Sequence, residues 1–131
     1  MKLLVVICAL LMAGCQTALV YTGEVRGTAS SVQAVDRSLG EFYRSRGFAP
    51  APAITGPGYA PGEWQLSRGK FLVVWIGQTQ KEGTLEIRIV PQPGANDAAR
   101  EVADAIRTYM ASHFPTTSFE LVEKPELDFL R

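Results

Sequence analysis

The fold is decided by two neighbouring segments, KFLVVWI at residues 70–76 and TLEIRIV at residues 84–90. The first is a continuous apolar run rich in β-branched and aromatic residues, which is typical of a central strand covered on both faces. The second alternates with period two, so that Leu85, Ile87 and Ile89 share one face. With a turn at residues 78–83, the two segments predict a β-hairpin whose second strand has one buried and one solvated face.

An amphipathic helix is predicted over residues 30–46, before this hairpin. Its apolar side chains recur at helical spacing, and charged residues fall on the other side. The apolar positions are Val32, Val35, Leu39 and Phe42. Thr28 or Ser30 can cap the start of the helix, and Gly47 followed by Phe48 is typical of a left-handed C-terminal cap.

A second helix is predicted between the hairpin and Pro115. Asn96 or Asp97 is expected to cap it, and its apolar positions again follow a period of 3.6. These positions are Val102, Ile106, Tyr109 and Met110. A short strand at residues 118–122 and a tail at 124–131, which still contains apolar residues, complete the chain.

The N-terminal residues 15–27 are either a tether or a first strand, and the composition from Leu19 to Val25 favours a strand. The predicted order is therefore (β)αββαβ, an α+β fold with two helices packed on one face of a small antiparallel sheet. With the first strand included, this order is that of the ferredoxin-like arrangement. That scaffold hosts many unrelated functions, so it predicts none by itself.

Residues 49–62 carry Pro or Gly at half of their positions, so they are predicted to be a loop without helix or strand. The loop could be a flexible surface connection, or it could fold over the second face of the hairpin through Ile54, Tyr59 and Trp64. Without such a cover, an apolar patch rimmed by Glu86 and Arg88 would remain as a docking surface.

The composition excludes several function classes. The chain has 13 basic and 13 acidic residues, which argues against a nucleic-acid partner. The chain has one histidine, His113, which is expected at the end of a helix rather than in a catalytic or metal site, and no metal or other cofactor is expected. The sequence indicates solvated charges rather than an acid–base pair at its scattered carboxylates, Glu63, Glu82, Glu86 and Glu120. We therefore expect a protein that is not an enzyme.

The first fifteen residues contain a basic Lys2, an apolar run from Leu3 to Met12, and the small residues Ala13 and Gly14 before Cys15. This order is typical of a secretory signal, and the apolar run is too short to cross a bilayer. The ending LMAGC resembles the lipobox of bacterial lipoproteins. That resemblance implies removal of residues 1–14 as a signal peptide and attachment of acyl chains, such as palmitate, to Cys15; Gln16 after it implies the periplasmic face of the outer membrane. It also implies that Cys8 leaves with the signal peptide and that lipid occupies the Cys15 sulfur, so no free thiol remains for a nucleophile or a zinc site.

Together these features predict a single α+β domain over residues 28–131, held at the membrane by lipid on Cys15. The first functional hypothesis is a non-enzymatic interaction or envelope-assembly module whose partner is another envelope protein. The alternative is a lipoprotein that binds a small molecule, a glycan or a peptidoglycan fragment. The possible binding surface comprises Tyr59 and Trp64 as aromatic platforms, together with Glu86 and Arg88.

Overall fold

The computed structural model describes residues 17–52 and 58–127. The predicted signal peptide and Cys15 lie outside the described residues. The elements follow one another as β1 (Thr17–Arg26), α1 (Ala29–Ser45), β2 (Ala49–Pro52), β3 (Tyr59–Arg68), β4 (Phe71–Lys81), β5 (Thr84–Pro91), α2 (Asn96–His113) and β6 (Ser118–Leu127).

The six strands form one antiparallel sheet in the order β2-β3-β4-β5-β1-β6. Both helices pack on one face of it, so the predicted α+β class with two helices on one face of an antiparallel sheet is confirmed. The predicted order (β)αββαβ is wrong in one respect, because two further strands stand between the first helix and the central hairpin. The uncertain first strand is present, and it begins at Thr17 rather than after a tether.

The prediction of a continuous loop at residues 49–62 is also wrong, because β2 and the start of β3 lie there. β2 is an edge strand, where a proline that cannot donate a hydrogen bond is tolerated. β3 pairs with β4 only from Glu63 onward. Just before this point Gly62 has a φ of +75°, and a Cβ there would overlap the Gln78 carbonyl oxygen. The two prolines of β2 therefore lie on an edge strand, and Gly62 lies immediately before the first residue of β3 that pairs with β4.

Helix α1 begins and ends as its sequence predicts. The Thr28 hydroxyl oxygen accepts a hydrogen bond from the Ser31 amide at 3.2 Å. At the other end Gly47 has a φ of +90°, which favours glycine, and the Phe48 amide donates to the Tyr43 carbonyl at 3.0 Å. The Phe48 ring is buried and lies 5.9 Å from that of Tyr43, so the cap also joins the core.

Helix α2 begins at Asn96, but neither Asn96 nor Asp97 caps it; the capping position is Ala95, without a side-chain hydrogen bond. The Asn96 amide instead binds the start of β1. Its Oδ1 accepts from the Leu19 amide at 3.0 Å, and its Nδ2 donates to the Thr17 carbonyl at 2.9 Å. This side chain therefore fixes the first residues of β1 to the start of α2.

The core lies between the sheet and the two helices. Val74 and Ile76 of β4 meet the alternate residues of β5 and the apolar stripes of both helices. Among the fully buried members are Val32, Val35, Leu39, Tyr43, Leu85, Ile87, Ile89 and Ile106. Gln78 is a buried polar side chain within this core. Its amide oxygen accepts from the Tyr43 hydroxyl at 2.7 Å, and its amide nitrogen donates to the Asp36 carboxylate. The network satisfies Gln78 and links α1 to β4.

The open face of the sheet as a candidate binding surface

The helices cover one side of the sheet, and the other side, called the open face below, carries the opposite residues of each strand. The register aligns these residues in rows that run across four strands. One row is Gly77, Arg88, Thr22 and Val122, and the next is Thr79, Glu86, Glu24 and Glu120. The expectation that residues 70–76 are covered on both faces is therefore wrong, since no described element packs over this side.

Among the described side chains that line the depression of the open face, Trp75 is the aromatic one, and sequence reasoning missed it as a site residue. It belongs to the apolar run of β4, whose inward residues Val74 and Ile76 are fully buried, while Trp75 is only half-buried. A Cβ at Gly77 would overlap the far end of the Trp75 indole. The glycine therefore gives the ring room to lie along the strand, and the Trp-x-Gly spacing was the available signal.

Three carboxylates lie side by side in one row of the open face, Glu86 on β5, Glu24 on β1 and Glu120 on β6. Like charges directly opposite each other on neighbouring strands repel. Arg26 compensates Glu24 at 2.9 Å, and Lys81 compensates Glu86 at 3.3 Å. Glu120 has no ion pair within residues 17–52 and 58–127, so it is the uncompensated charge of this row.

An ion pair crosses the upper part of the open face. The Arg88 guanidinium on β5 lies 2.9 Å from the Glu126 carboxylate on β6, although β1 separates the two strands. The register places Val20 of β1 beneath the line that joins them, and Val20 is fully buried. The pair is half-exposed, so solvent screens it and its contribution to stability is small.

The twisted open face is concave, with a depression of about 700 Å³. Small residues form the floor of the depression, because their short side chains do not fill the space above the strands. Among them are Gly23, Gly77 and Thr22. The walls of the depression are Trp75, the carboxylate row, the side chains of Arg26 and Arg88, and Val122, which is 43% exposed. An aromatic ring, an exposed aliphatic side chain and charges of both signs therefore surround one shallow site.

The structure brings together two of the four residues predicted as a binding surface. Glu86 and Arg88 both line the depression. Trp64 lies on the helix-covered side instead, with its ring 5.6 Å from that of Tyr43, 3.3 Å from a Cβ placed at Gly40, and beneath the Arg44 guanidinium. The side chain of Tyr59 lies outside the described residues. Trp64 therefore completes the core here, and Trp75 occupies the place beside Glu86 and Arg88.

The two sheet edges are poorly suited to pairing with another strand. β2 has four residues, two of which are prolines. β6 is longer, but Pro125 and charged neighbours stand along it, and the Arg107 guanidinium donates to the Leu121 carbonyl at 2.8 Å. Charges and proline on an edge strand disfavour the addition of further strands. The open face is therefore a better binding surface than either edge.

The described residues contain no cluster of three or more metal-ligating side chains. His113 lies in the last turn of α2, where its ring stacks on Tyr109 and its Nδ1 is 3.1 Å from the Tyr109 carbonyl oxygen. A cation at this position interacts favourably with the helix dipole. The Tyr109 hydroxyl in turn contacts the Ser38 hydroxyl of α1. The Tyr109–Ser38 contact joins the two helices, whereas the His113 contacts lie within α2.

Comparison of the chain with protein-family models, with curated proteins and with solved structures found no match. A search of the described helices found none with both the length and the apolar character to span a bilayer. The site must therefore be interpreted from its own geometry.

Proposed function

We propose that this chain is a lipid-anchored, non-enzymatic protein of the bacterial envelope, placed at the periplasmic face of the outer membrane, and that it binds another envelope protein through the open face. The observation that carries the binding function is the side of β4, β5, β1 and β6 over which no element of residues 17–52 and 58–127 packs. On it Trp75 and Val122 remain accessible among charged side chains. Aromatic residues surrounded by a polar rim are typical of protein interfaces.

The anchoring part of the proposal rests on the lipobox-like sequence that ends at Cys15. Two or three acyl chains on one cysteine would hold the protein stably at a membrane, whereas one chain would hold it only marginally. The test is expression of the full chain in a bacterial host beside the variants Cys15→Ala and Cys8→Ala. We expect acyl mass, loss of residues 1–14 and membrane sedimentation for the unaltered chain and for Cys8→Ala. The same mass and sedimentation for Cys15→Ala would contradict the anchor.

The binding part of the proposal is tested by a photo-reactive amino acid at Thr79, which is exposed on the open face. The matched control carries the same group at Arg37, which is exposed on α1. In living cells we expect a discrete protein adduct from position 79 and none of the same mass from position 37. Trp75→Ala should remove that adduct. Equal adducts from both positions would contradict docking through the open face.

A second candidate function is the binding of a glycan or peptidoglycan fragment in the same depression, favoured by the Trp75 wall beside carboxylates and arginines. Sugar rings stack on aromatic side chains, and charged groups bind their hydroxyls. Titration with soluble peptidoglycan fragments, followed by calorimetry, separates the two candidates. Saturable binding that Trp75→Ala abolishes and Trp64→Phe retains would favour the glycan function; absence of heat with an intact protein adduct would exclude it.

We also propose that β4, β5, β1 and β6 with the two helices form a ferredoxin-like unit into which the β2–β3 hairpin is inserted. Two observations support this proposal. The four strands lie side by side in the order β4-β5-β1-β6. Along the chain, α1 lies between β1 and β4, and α2 lies between β5 and β6. Replacement of residues 49–68 by a short flexible linker tests it. We expect a less stable protein that still unfolds cooperatively, and loss of the cooperative transition would contradict the proposal.

A further inference from the structure

One end of the sheet carries both the start of β1 and the turn between β3 and β4. β1 begins at Thr17, opposite Leu127 at the end of β6. Both β1 and β4 pair with β5, so their residues can be aligned along the strand direction through it. Tyr21 of β1 pairs with Ile89, and Val74 of β4 pairs with Pro91. Continuing both registers to the end of the sheet places Thr17 level with residue 72. Thr17, the first described residue, therefore lies at the same end of the sheet as the β3–β4 turn, with β5 between their strands.

The length of chain between Thr17 and the lipid-bearing residue of the proposed function limits how far the anchor can be from this end of the sheet. Cys15 precedes Thr17 by two residues, and an extended chain spans at most about 3.6 Å per residue, or about 7 Å in all. Thr17 itself is not free to move away, because Asn96 of α2 binds its carbonyl oxygen and the Leu19 amide. An anchor on Cys15 would thus hold this end of the sheet against the headgroups, without a long tether.

The β3–β4 turn presents the side chains that a membrane interface accommodates. Phe71 is 79% exposed, the largest exposed fraction among the described large apolar residues. Arg68 and Lys70 are exposed beside it, and Gly69 makes the tight turn with a φ of +64°. Aromatic rings favour the boundary between headgroups and acyl chains, and basic residues favour anionic phospholipids. An exposed Phe that follows two cations in the same turn therefore fits a lipid surface.

The opposite end of the same strand has a different character. β4 has 11 residues, which corresponds to about 35 Å. Its far end joins β5 through a two-residue turn, Glu82 and Gly83, without an aromatic side chain. The basic and aromatic side chains suited to an anionic membrane thus occur at the end of the sheet where β1 begins. The β4–β5 turn at the opposite end provides a matched control.

From this coincidence we propose that the tip of the β3–β4 hairpin, residues Arg68–Phe71, is a second membrane contact. Phe71 enters the interface, and Arg68 and Lys70 bind phosphates of anionic phospholipids. The inference rests on the proposed lipid anchor at Cys15. Its consequence is a fixed orientation, in which the strands stand on the bilayer and the open face is presented sideways to a partner in the same membrane layer.

The test places a nitroxide spin label near each end of β4 while keeping Arg68, Lys70 and Phe71 intact. Full chains carry Cys8→Ala with either Ser67→Cys or Glu82→Cys, both at exposed positions. They are purified from host membranes and reconstituted into vesicles of phosphatidylethanolamine and phosphatidylglycerol. Collision of the label with oxygen and with a water-soluble nickel complex measures its depth, and intact mass reports acylation of Cys15 in the same sample.

We expect the label at residue 67 to gain oxygen collisions and lose nickel collisions on reconstitution, and the label at residue 82 to stay aqueous. Phe71→Ser should return the first label to water. Arg68→Gln and Lys70→Gln should each lower the ratio of inserted to aqueous label about fivefold, and vesicles of phosphatidylcholine alone should remove this dependence.

An acylated protein whose residue-67 label stays aqueous would overturn the hairpin contact and leave the anchor intact. Equal depth at residues 67 and 82 would overturn it as well, because the proposed orientation requires a difference between the two ends. Absence of acyl mass on Cys15 would overturn the anchor, and the hairpin contact with it.

Discussion

The two faces of β4 differ although they come from one continuous apolar run. The inward residues Val74 and Ile76 are fully buried against α1 and the other strands, whereas the outward Trp75 is only half-buried. Complete burial of one such side chain contributes about 1.5 to 3 kcal/mol. The outward Trp75 forgoes much of this stabilisation. The difference shows that apolar composition alone does not assign a residue to the core, and that uncovered aromatic residues are candidates for binding.

The largest effect should come from the inward face. Ile76→Ala removes a fully buried side chain from the centre of the core, and we expect a loss of about 2 to 5 kcal/mol in the free energy of unfolding. Thr79→Ala on the outward face of the same strand is the control and should change it by less than about 0.5 kcal/mol. Urea denaturation measures both. Similar losses for the two variants would mean that the faces are not distinguished by packing.

Two glycines beside β4 sharpen the comparison. Gly62→Ala forces a Cβ towards the fixed Gln78 carbonyl at a φ of +75°, so we expect a loss of about 2 kcal/mol or more in unfolding free energy. Gly77→Ala meets only the far end of the Trp75 ring, which can rotate. It should cost less and shift the tryptophan fluorescence. If Gly77→Ala were the costlier of the two, the Trp75 ring would be held more firmly than the open face implies.

The two buried tyrosines Tyr43 and Tyr21 differ in whether a hydrogen-bond partner of the hydroxyl group is described. Tyr43→Phe leaves the buried Gln78 oxygen without its donor, at a cost of about 1 to 3 kcal/mol. Tyr21→Phe should be neutral or slightly stabilising, because the Tyr21 hydroxyl is buried without a described hydrogen-bond partner, although Arg100 lies nearby. Thermal unfolding of the two variants is the measurement, and equal losses would contradict this distinction.

Burial, with a smaller contribution from Asp36, raises the pKa of Tyr43. Tyr43 therefore stays neutral in the folded chain where an unfolded tyrosine ionises, so stability is complete below about pH 10 and declines above it. Tyr43→Phe should make this alkaline decline shallower. Stability curves between neutral pH and pH 11 test the sign, and an unchanged slope would contradict it.

The smallest effect on stability should come from Trp75→Ala, within about 1 kcal/mol, because the ring packs on a solvated face. The same variant should have the largest effect on binding, since it removes the aromatic wall of the depression. Chemical denaturation and partner crosslinking, carried out on the same preparation, separate the two readouts. A variant that unfolds easily and still binds would reverse the assignment of Trp75.

Periodicity predicted both helices, the central hairpin and the cap at Gly47, because each depends on neighbours along the chain. The strands β2 and β3 were missed, since proline and glycine are tolerated at a sheet edge and before pairing begins, and edge position is a tertiary property. Strand β4 also runs to Lys81, through the residues expected to form its turn, and β6 continues to Leu127. Strand ends depend on partners that are distant in sequence.

The candidate site was only partly accessible from sequence. Glu86 and Arg88 were identified because alternation along β5 places them opposite a buried face. Trp75 was not, since both faces of β4 read as apolar, and what distinguishes them is that no element in the described part of the chain covers the outward face. Trp64 stood beside a proline-rich segment and was predicted as a binding platform, but its position depends on the groove between Gly40 and Tyr43 on α1.

The position of β1 determines how the fold responds to mechanical load. β1 lies between β5 and β6 and is paired with β6 along its whole length. A pull on Thr17 along the strand axis therefore acts in shear on two hydrogen-bond ladders at once, because their bonds run across the strands. Many bonds must then fail together rather than one after another. A force applied to the protein through the chain before β1 is therefore carried by β1 in shear, a geometry that resists extension better than the opening of one hydrogen bond at a time.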